Sequence, residues 1–403
     1  MANEDLGKTL RRLRRLADLT QEELAERSDV SVDVIRQLEQ GRKHSARLPT
    51  LHALANGLGV ELTTLLGDPP AVASGENDGP RFVAVRRAIM PALWGPPQAG
   101  VGPDFSLSRL RDQIAEAWTN YHAAEFDSVM KALPDLVSEA RAATVSGSDD
   151  DRKAGFAALG KALQLGGHVA VRMGKTDLAL TSLERAISAA EQSSDPLLVP
   201  MIVNSTAWTY QRQGRLEDAL SIALRAADDM KKAGRTDTAD GLKVWGGLTM
   251  SAATSAARSG DYERAAAMME TAETEAARVS KLPAGSDDRM ISVFSPSSVR
   301  IERVRLAVQY GHSADALALA KGMRLSKDTP PSWRTWLLLD VARAHSDVGD
   351  AAGAVKTLES LRRVAPTWMQ HHTLAVAIVR DLWALPKHPP GLRSLAEFLG
   401  IAD

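Results

Sequence analysis

Residues 19–41 are LTQEELAERSDVSVDVIRQLEQG, a stretch that predicts two short helices joined by a tight turn. Thr20 suits a helix N-cap, and Glu23 three residues later completes a capping box. Ser31 suits the N-cap of the second helix, which carries apolar residues at helical spacing. Asp29 stands at the sharp turn between the helices, where a residue that tolerates positive φ is needed.

This stretch resembles the helix-turn-helix of the Xre/Cro family, whose domain has the lambda-repressor-like fold. Helical patterns flank it on both sides, so the resemblance covers about the first 66 residues. It implies a five-helix DNA-binding domain over residues 1–68. One departure is Asp29, which occupies a turn position where the family usually has glycine. The matching residues are Gln21, Leu24, Ala25, Ile35, Leu38, Glu39 and Gly41.

In that family the second motif helix enters the major groove of operator DNA, and its first turns face the bases. Asp33 and Arg36 lie on this second helix, and the alternative to contact with bases is that the two residues form only a solvated helix face. The resemblance also places Arg14 and Glu39 where relatives form a partly buried ion pair. It assigns base contacts to Ser31, Val32, Asp33, Arg36 and Gln37. We expect phosphate contacts from Arg11, Arg15, Gln21, Arg42, Lys43, Ser45 and Arg47.

Length and composition limit the classes of protein to consider. The 403 residues suffice for two or more domains, and an apolar share of 44% supports full-sized cores. The formal net charge of −1 excludes a basic coat protein for nucleic acid. The absence of cysteine excludes disulfides and thiolate chemistry and fits a cytoplasmic location. We expect neither a signal peptide nor a membrane-spanning segment.

The composition changes after the N-terminal helices, and we expect a linker over residues 69–106. Residues 68–80, DPPAVASGENDGP, are rich in proline, glycine and small polar residues. Within the linker, residues 82–94, FVAVRRAIMPALW, have the pattern of a short helix that ends near Pro91.

From Leu107 onward the pattern is helical and contains internal repeats. Five times a glycine stands five residues before an alanine, with one helical segment on each side; the glycines are 40, 46, 51 and 38 residues apart. Residues 117–136 form a degenerate copy without the glycine, which gives six helix pairs. A terminal helix near 367–385 and a tail helix within 386–403 follow. The glycine and alanine positions are Gly174 and Ala179, Gly214 and Ala219, Gly260 and Ala265, Gly311 and Ala316, and Gly349 and Ala354.

These repeats resemble the tetratricopeptide repeat, whose unit is two antiparallel helices. The resemblance implies an all-α chain with an α-solenoid of about six helix pairs over residues 107–385, whose first helices line a concave face. One of the two best copies has Ala207, Tyr210, Gly214, Ala219 and Ala226. The other has Ala342, Gly349, Ala354 and Pro366.

Counting back from the glycines predicts which residues line the concave face. Arg172, Arg212 and Arg258 each stand two residues before a glycine. Arginine binds carboxylates with a two-pronged fork, so this face is a candidate ligand site. The alternative is a polar face that serves solubility alone. The full set is Gln164, His168, Arg172, Asn204, Trp208, Gln211, Arg212, Met250, Arg258 and Arg305.

The sequence therefore predicts a cytoplasmic transcriptional regulator that binds double-stranded operator DNA as a homodimer. Its repeat domain is expected to sense a peptide, a small acid or a partner protein. The alternative is a scaffold for protein–protein interaction with a head that localises it on DNA. An enzyme has no supporting constellation, and we expect no catalytic residue, cofactor, metal or membrane partner.

Overall fold

The computed structural model describes residues 6–17, 19–43, 46–60, 62–66, 80–92, 100–102, 104–122, 125–283, 285, 294–325, 329, 331–370 and 372–401. Over these residues every regular element is a helix, which confirms the all-α prediction. None of the described helices combines the length and apolar character that a membrane span requires. The helices are α1 Leu6–Leu16, α2 Gln21–Ser28, α3 Val32–Glu39, α4 Leu48–Gly57, α5 Leu62–Leu65, α6 Pro80–Ile89, α7 Leu107–His122, α8 Phe126–Ala143, α9 Asp149–Arg172, α10 Thr176–Glu191, α11 Leu198–Arg212, α12 Leu216–Lys232, α13 Ala239–Arg258, α14 Tyr262–Val279, α15 Pro296–Gln309, α16 Ser313–Ala320, α17 Pro331–Asp347, α18 Ala351–Val364, α19 Pro366–Gln370, α20 Thr373–Trp383 and α21 Leu392–Phe398.

The chain divides into two compact units. The first unit consists of Met1–Pro69, Ala256–Met269 and Pro296–Asp403, and the second of Pro70–Ser255 and Glu270–Ser295. The first unit thus holds the N-terminal helices α1 to α5, which we call the head, together with the last helix pairs of the chain.

Local signals set the turn between α2 and α3. The amide of Glu23 donates to Thr20 Oγ1 at 3.1 Å, and the amide of Thr20 donates to Glu23 Oε2 at 2.7 Å, so the capping box is present. Asp29 ends α2 with a φ of 53°, in the left-handed region, and its amide donates to the Ala25 carbonyl. Ser31 Oγ then accepts the Val34 amide and begins α3.

The head encloses its own apolar core. Leu24 of α2 and Ile35 and Leu38 of α3 are fully buried, as the helical spacing predicts. They pack with apolar residues of α1, α4 and α5, which close the core from the other sides. Burying a leucine or isoleucine side chain contributes about 1.5–3 kcal/mol, so this core fixes the orientation of α3.

Each of the five predicted repeat glycines lies between two helices and has a positive φ of 70° to 90°. The alanine five residues later is completely buried in all five cases. A side chain at the glycine would meet the steric cost of left-handed backbone, whereas the alanine allows the paired helices to approach closely. Together with α7 and α8, these turns give the six predicted helix pairs.

Helix α6 lies in the segment predicted to be a linker, and it packs into the core of the second unit. Phe82, Val85 and Ile89 form its buried face. Its last carbonyls are also bonded: Arg141 Nη2 donates to Ala88 O at 2.9 Å, and Arg185 Nη1 donates to Ile89 O. Cations at the carboxyl end of a helix favour its dipole, so two arginines anchor this helix.

The end of the chain differs in detail from the prediction. The structure has two helices, α19 and α20, where one terminal helix was expected near residues 367–385, and His372 stands between them. Helix α21 provides the expected tail helix. All three contribute to an apolar cluster with α17 and α18, through Met369, Leu382 and Leu395 among others.

Candidate functional site

Helix α3 presents a polar face to solvent. Its apolar residues Ile35 and Leu38 point into the head core, while Asp33 and Arg36 are exposed. Ser31 is also exposed, and Val32 and Gln37 are half-buried. The five residues predicted to contact bases therefore all lie on accessible positions along the first two turns of one helix. This is the part of a helix that meets base edges in the major groove.

The polar side chains on this face are held by one another. Gln37 Nε2 donates to Asp33 Oδ2 at 2.7 Å, four residues apart. Arg36 Nη2 lies 3.9 Å from Glu22 Oε1 on α2, and the Arg36 side chain remains 49% exposed. An exposed ion pair of this length contributes at most about 1 kcal/mol, so Arg36 can exchange Glu22 for a base at little cost.

Basic side chains flank α3 on two sides. Lys8, Arg11, Arg12 and Arg15 of α1 line a surface depression. The loop from α3 to α4 exposes Arg42, Lys43 and Arg47, and Ser45 lies outside the described residues. Such clusters bind phosphates without a net positive charge on the whole domain.

Gln21, which we expected at a phosphate, instead binds inside the head. Its Nε2 donates to Glu39 Oε2 at 2.8 Å. The same carboxylate receives two bonds from Arg14, Nε to Oε1 at 2.6 Å and Nη2 to Oε2 at 2.8 Å. Arg14 Nη1 also donates to the Leu19 carbonyl at 2.7 Å. This network joins α1, the start of α2 and the end of α3, so it fixes α3 in the head.

The Arg14–Glu39 pair is shielded from solvent, with side-chain exposures of 11% and 4%. Burial alone would raise the pKa of Glu39, but the hydrogen bonds from Arg14 and Gln21 outweigh it and hold the pKa below its ordinary value. The partly buried pair that the family resemblance implied is therefore present.

The ten residues predicted for the concave face are divided between the two units. Arg258 and Arg305 belong to the first unit, and the other eight to the second. Arg305 forms ion pairs with Glu302 at 3.3 Å and Asp340 at 3.4 Å. Its guanidinium also lies over the Trp336 ring. Asp340 and Trp336 lie on α17, so these contacts hold Arg305 of α15 against the first helix of the next pair.

Three of the eight residues in the second unit are buried between helices. Gln164 Nε2 donates to Ser205 Oγ at 2.9 Å, and Gln211 Nε2 donates to Ser255 Oγ at 2.9 Å. Met250 is 7% exposed. The two glutamine side chains therefore join neighbouring helices, α9 to α11 and α11 to α13.

Four of the five remaining predicted residues of α9 and α11 meet in one aromatic cluster. His168 stacks on Trp208 with ring centroids 5.1 Å apart, and its Nε2 lies 2.9 Å from Ser205 Oγ. Arg212 lies over the Trp208 ring at 5.7 Å. Burial, together with the nearby His122 and Arg172, lowers the pKa of His168 to about 3, so its imidazole is neutral at pH 7. Asn204, one turn before Trp208, is half-buried.

Helix α7 and the start of α8 supply members of this cluster that no sequence pattern singled out. Trp118 contacts the edge of the His168 ring at 5.0 Å. Arg172 Nε donates to the Tyr121 hydroxyl at 3.2 Å, and its guanidinium lies over the Phe126 ring. These aromatic residues lie within 117–136, the repeat copy without a glycine. Because the concave positions were predicted by counting back from a glycine, this copy gave no starting point.

Comparison with known proteins identifies the head. Residues 5–66 match the helix-turn-helix domain family, so the N-terminal part of the chain is a helix-turn-helix DNA-binding domain. Among curated proteins, none is significantly similar to this sequence. The crystal structure of BtubC from P. vanneervenii is similar at 18% identity and a TM-score of 0.41, covering 67% of this chain and 94% of that one. An overlap this loose has no bearing on function.

We predict that Glu39→Gln destabilises the head by about 3–5 kcal/mol at neutral pH, because it leaves Arg14 buried without its counter-ion. The pKa of Glu39 in the folded chain lies below its ordinary value of 4.5. Its contribution is therefore complete above that value and is lost as the pH falls through the folded pKa. Hydrogen exchange of residues 6–66 across this range measures both effects.

The matched control for this test is Glu26→Gln, which removes an exposed carboxylate from α2. It should leave the exchange of the head unchanged. Equal protection of the head in the Glu39→Gln variant and the native chain at neutral pH would contradict the assigned role of the pair.

Proposed function

We propose that the chain is a sequence-specific transcriptional regulator of the Xre/Cro type that reads operator DNA with α3. The observation that supports this most directly is the division of α3 into two faces. Ile35 and Leu38 are fully buried, and Asp33 and Arg36 are exposed beside them. A helix anchored on its apolar side with exposed polar side chains on the other suits the major groove.

The roles of individual side chains follow from their chemistry. Arg36 matches the two acceptors of guanine, Asp33 accepts from cytosine, and Val32 contacts a thymine methyl. Lys43 and the basic residues of α1 bind phosphates, which position the head without reading sequence. The proposal includes a cytoplasmic location, where operator DNA is found, and assigns no catalytic step.

We predict that Arg36→Ala and Lys43→Ala weaken DNA binding in different ways. Arg36→Ala should cost about 1–3 kcal/mol of preference for the operator over random DNA, because it removes a base contact. Lys43→Ala should weaken binding to both equally and reduce the salt dependence. Affinity is measured on duplexes selected by the native chain from a randomised pool and on random duplexes, at two salt concentrations.

Each variant serves as the other's control, since both remove one exposed cation from the same surface. Equal losses on selected and random DNA for Arg36→Ala would refute its assignment to a base. A native chain that selects no sequence from the pool would favour the scaffold, whose head only localises it on DNA.

We propose further that the regulator acts as a homodimer. One helix-turn-helix reads only a few base pairs, and two heads that occupy half-sites one DNA turn apart gain affinity and specificity. We predict a dimer by sedimentation on a duplex that contains the selected sequence as an inverted repeat. A monomer both free and on that duplex would reject the proposal.

We also propose that the helix pairs are tetratricopeptide-like repeats and that their aromatic cluster senses a ligand. Positive-φ glycines and buried alanines at five matching turns support the repeat assignment. In the cluster, the rings of Tyr121 and Trp208 hold the guanidiniums of Arg172 and Arg212. Such oriented forks suit a carboxylate, as in a peptide or a small acid.

Unsatisfied polar atoms near the cluster support the same proposal. Trp118 Nε1, Gln164 Oε1 and Asn204 Oδ1 are buried and lack a hydrogen-bond partner within the described part of the chain. Buried polar atoms without partners are costly, so a bound polar molecule would stabilise all three. A ligand there changes DNA affinity only if it binds the DNA-competent and incompetent conformations unequally.

We predict that the double substitution Arg212→Ala with Asn204→Ala abolishes the response to ligand. The probe is a panel of short peptides and small carboxylic acids, screened for compounds that raise the Tm of the native chain and change its affinity for DNA. Both effects should disappear in the double variant, because it removes the carboxylate fork and the neighbouring amide.

The control is Arg225→Ala, which removes a cation that is 87% exposed on the second helix of the same pair. It should respond to the same compounds as the native chain. An unchanged response in a folded double variant would place the ligand elsewhere and leave the two arginines as a solvated face.

A further inference from the structure

The last helix pairs of the first unit hold the head by a small set of polar and close contacts. Arg343 Nη2 on α17 donates to the Ala46 carbonyl at 2.6 Å, across 297 positions of sequence. Asn56 Nδ2 on α4 donates to the Arg258 carbonyl at 3.3 Å. We call the surface formed by Arg258, Gly311 and Arg343 the seat.

The packing at the seat is close. Helix α4 packs against α15, and an added Cβ at Gly311 would meet Pro49 Cγ at 3.3 Å. His52 on the same helix is half-buried there, and its Nε2 atom is inaccessible to solvent. Burial together with the Arg258 cation lowers the pKa of His52 to about 4, so its imidazole is neutral at pH 7.

Arg343 is the centre of the seat and is only 3% exposed. Its Nε lies 2.9 Å from Asp347 Oδ1, and its Nη1 lies 3.6 Å from Asp381 Oδ2. A buried guanidinium is stable only when its partners compensate its charge, and these two carboxylates do so. The planar guanidinium has N–H donors in several directions, so Nη2 can donate to the Ala46 carbonyl while Nε and Nη1 face the two carboxylates.

Ala46 belongs to the loop that carries the predicted phosphate contacts. The amides of Arg42 and Lys43 donate to the Gln37 carbonyl at 2.9 and 3.1 Å, which fixes the start of the loop on α3. Arg343 fixes the loop again at Ala46, next to Arg47. The seat covers α4 and leaves the residues for DNA uncovered, because Arg36, Lys43 and Arg47 are exposed.

We infer that Arg343 is a positioning residue for DNA binding, which holds the loop between α3 and α4 in the geometry that contacts phosphates. The inference rests on the proposed function, because it takes the loop cations as phosphate ligands. A loop fixed in this geometry keeps its cations at the phosphates, whereas a released loop gives up some of these contacts and with them part of the salt-dependent affinity. The last helix pairs then act on DNA affinity without touching DNA.

The test uses the full-length chain with Arg343→Lys. Lysine keeps a cation beside Asp347 and Asp381, so the helix pairs stay compensated, but one ammonium lacks the fork that also reaches Ala46. The probe is a random-sequence duplex, because phosphate contacts need no operator. Affinity is measured at about 50 and 200 mM salt, where each lost phosphate contact makes the ratio of the two affinities about threefold smaller.

The matched control is Arg362→Lys. Arg362 Nη1 on α18 donates to the carbonyl oxygen and to Oγ of Ser394 on α21 at 3.3 and 3.0 Å, so this arginine also joins two helices of the first unit. It should leave DNA affinity and salt dependence unchanged. Hydrogen exchange provides the second readout: Arg343→Lys should accelerate exchange at Arg42, Lys43, Ala46 and Arg47 while helices α1 to α3 keep their protection.

The possible outcomes distinguish a failure of the inference about Arg343 from a failure of the proposed function on which it rests. A smaller salt dependence and faster loop exchange in Arg343→Lys alone support it. Unchanged salt dependence, equal effects of the two variants, or tighter binding by Arg343→Lys overturn it. If the native chain does not bind the duplex even at low salt, the proposed function fails, whatever the loop exchange shows.

Discussion

Close helix pairing through small residues is the constraint on which the repeat part of the chain depends. Two helices lie side by side only if the chain reverses within a few residues, and a left-handed glycine such as Gly214 makes that reversal without the cost of about 1–2 kcal/mol that a side chain meets. The fully buried Ala219 then allows close approach. In the head, Asp29 adopts the same left-handed backbone although it has a side chain, since aspartate tolerates this conformation better than most residues do.

The sequence predicted those parts of the fold that local chemistry decides. The capping box at Thr20, the cap at Ser31 and the five glycine turns each depend on residues a few positions apart, so one sequence suffices to find them. Helix α6 was expected as a helix but not as part of a core, because its anchors Arg141 and Arg185 come from distant helices. Contacts between residues so far apart in the sequence leave no periodic pattern in it.

The same distinction explains the candidate sites. On α3 the helical spacing alone distinguishes the buried Ile35 from the exposed Arg36, because one face of this helix packs into the head core and the other faces solvent. In each helix pair the first helix has neighbours on several sides. Counting back from a glycine therefore predicts on which face of the helix a residue lies, but not whether its side chain is buried. Gln164 and Gln211 fell on the predicted face and are buried by the next helix. Arg343 stood out in no pattern, since its partner Ala46 is 297 positions away.

The proposed role of Arg343 would let a remote change reach the loop that faces DNA. A buried ion network contributes little net stability, because desolvation offsets most of the attraction between Arg343 and its two carboxylates. Removing one partner is costly, however, because it leaves an uncompensated buried charge. A change that moves α17 relative to the head would break the bond from Arg343 Nη2 to the Ala46 carbonyl. Under the proposed role of Arg343, the cations next to Ala46 would then lose their anchor, and DNA affinity would fall through a contact that lies outside the DNA-facing residues.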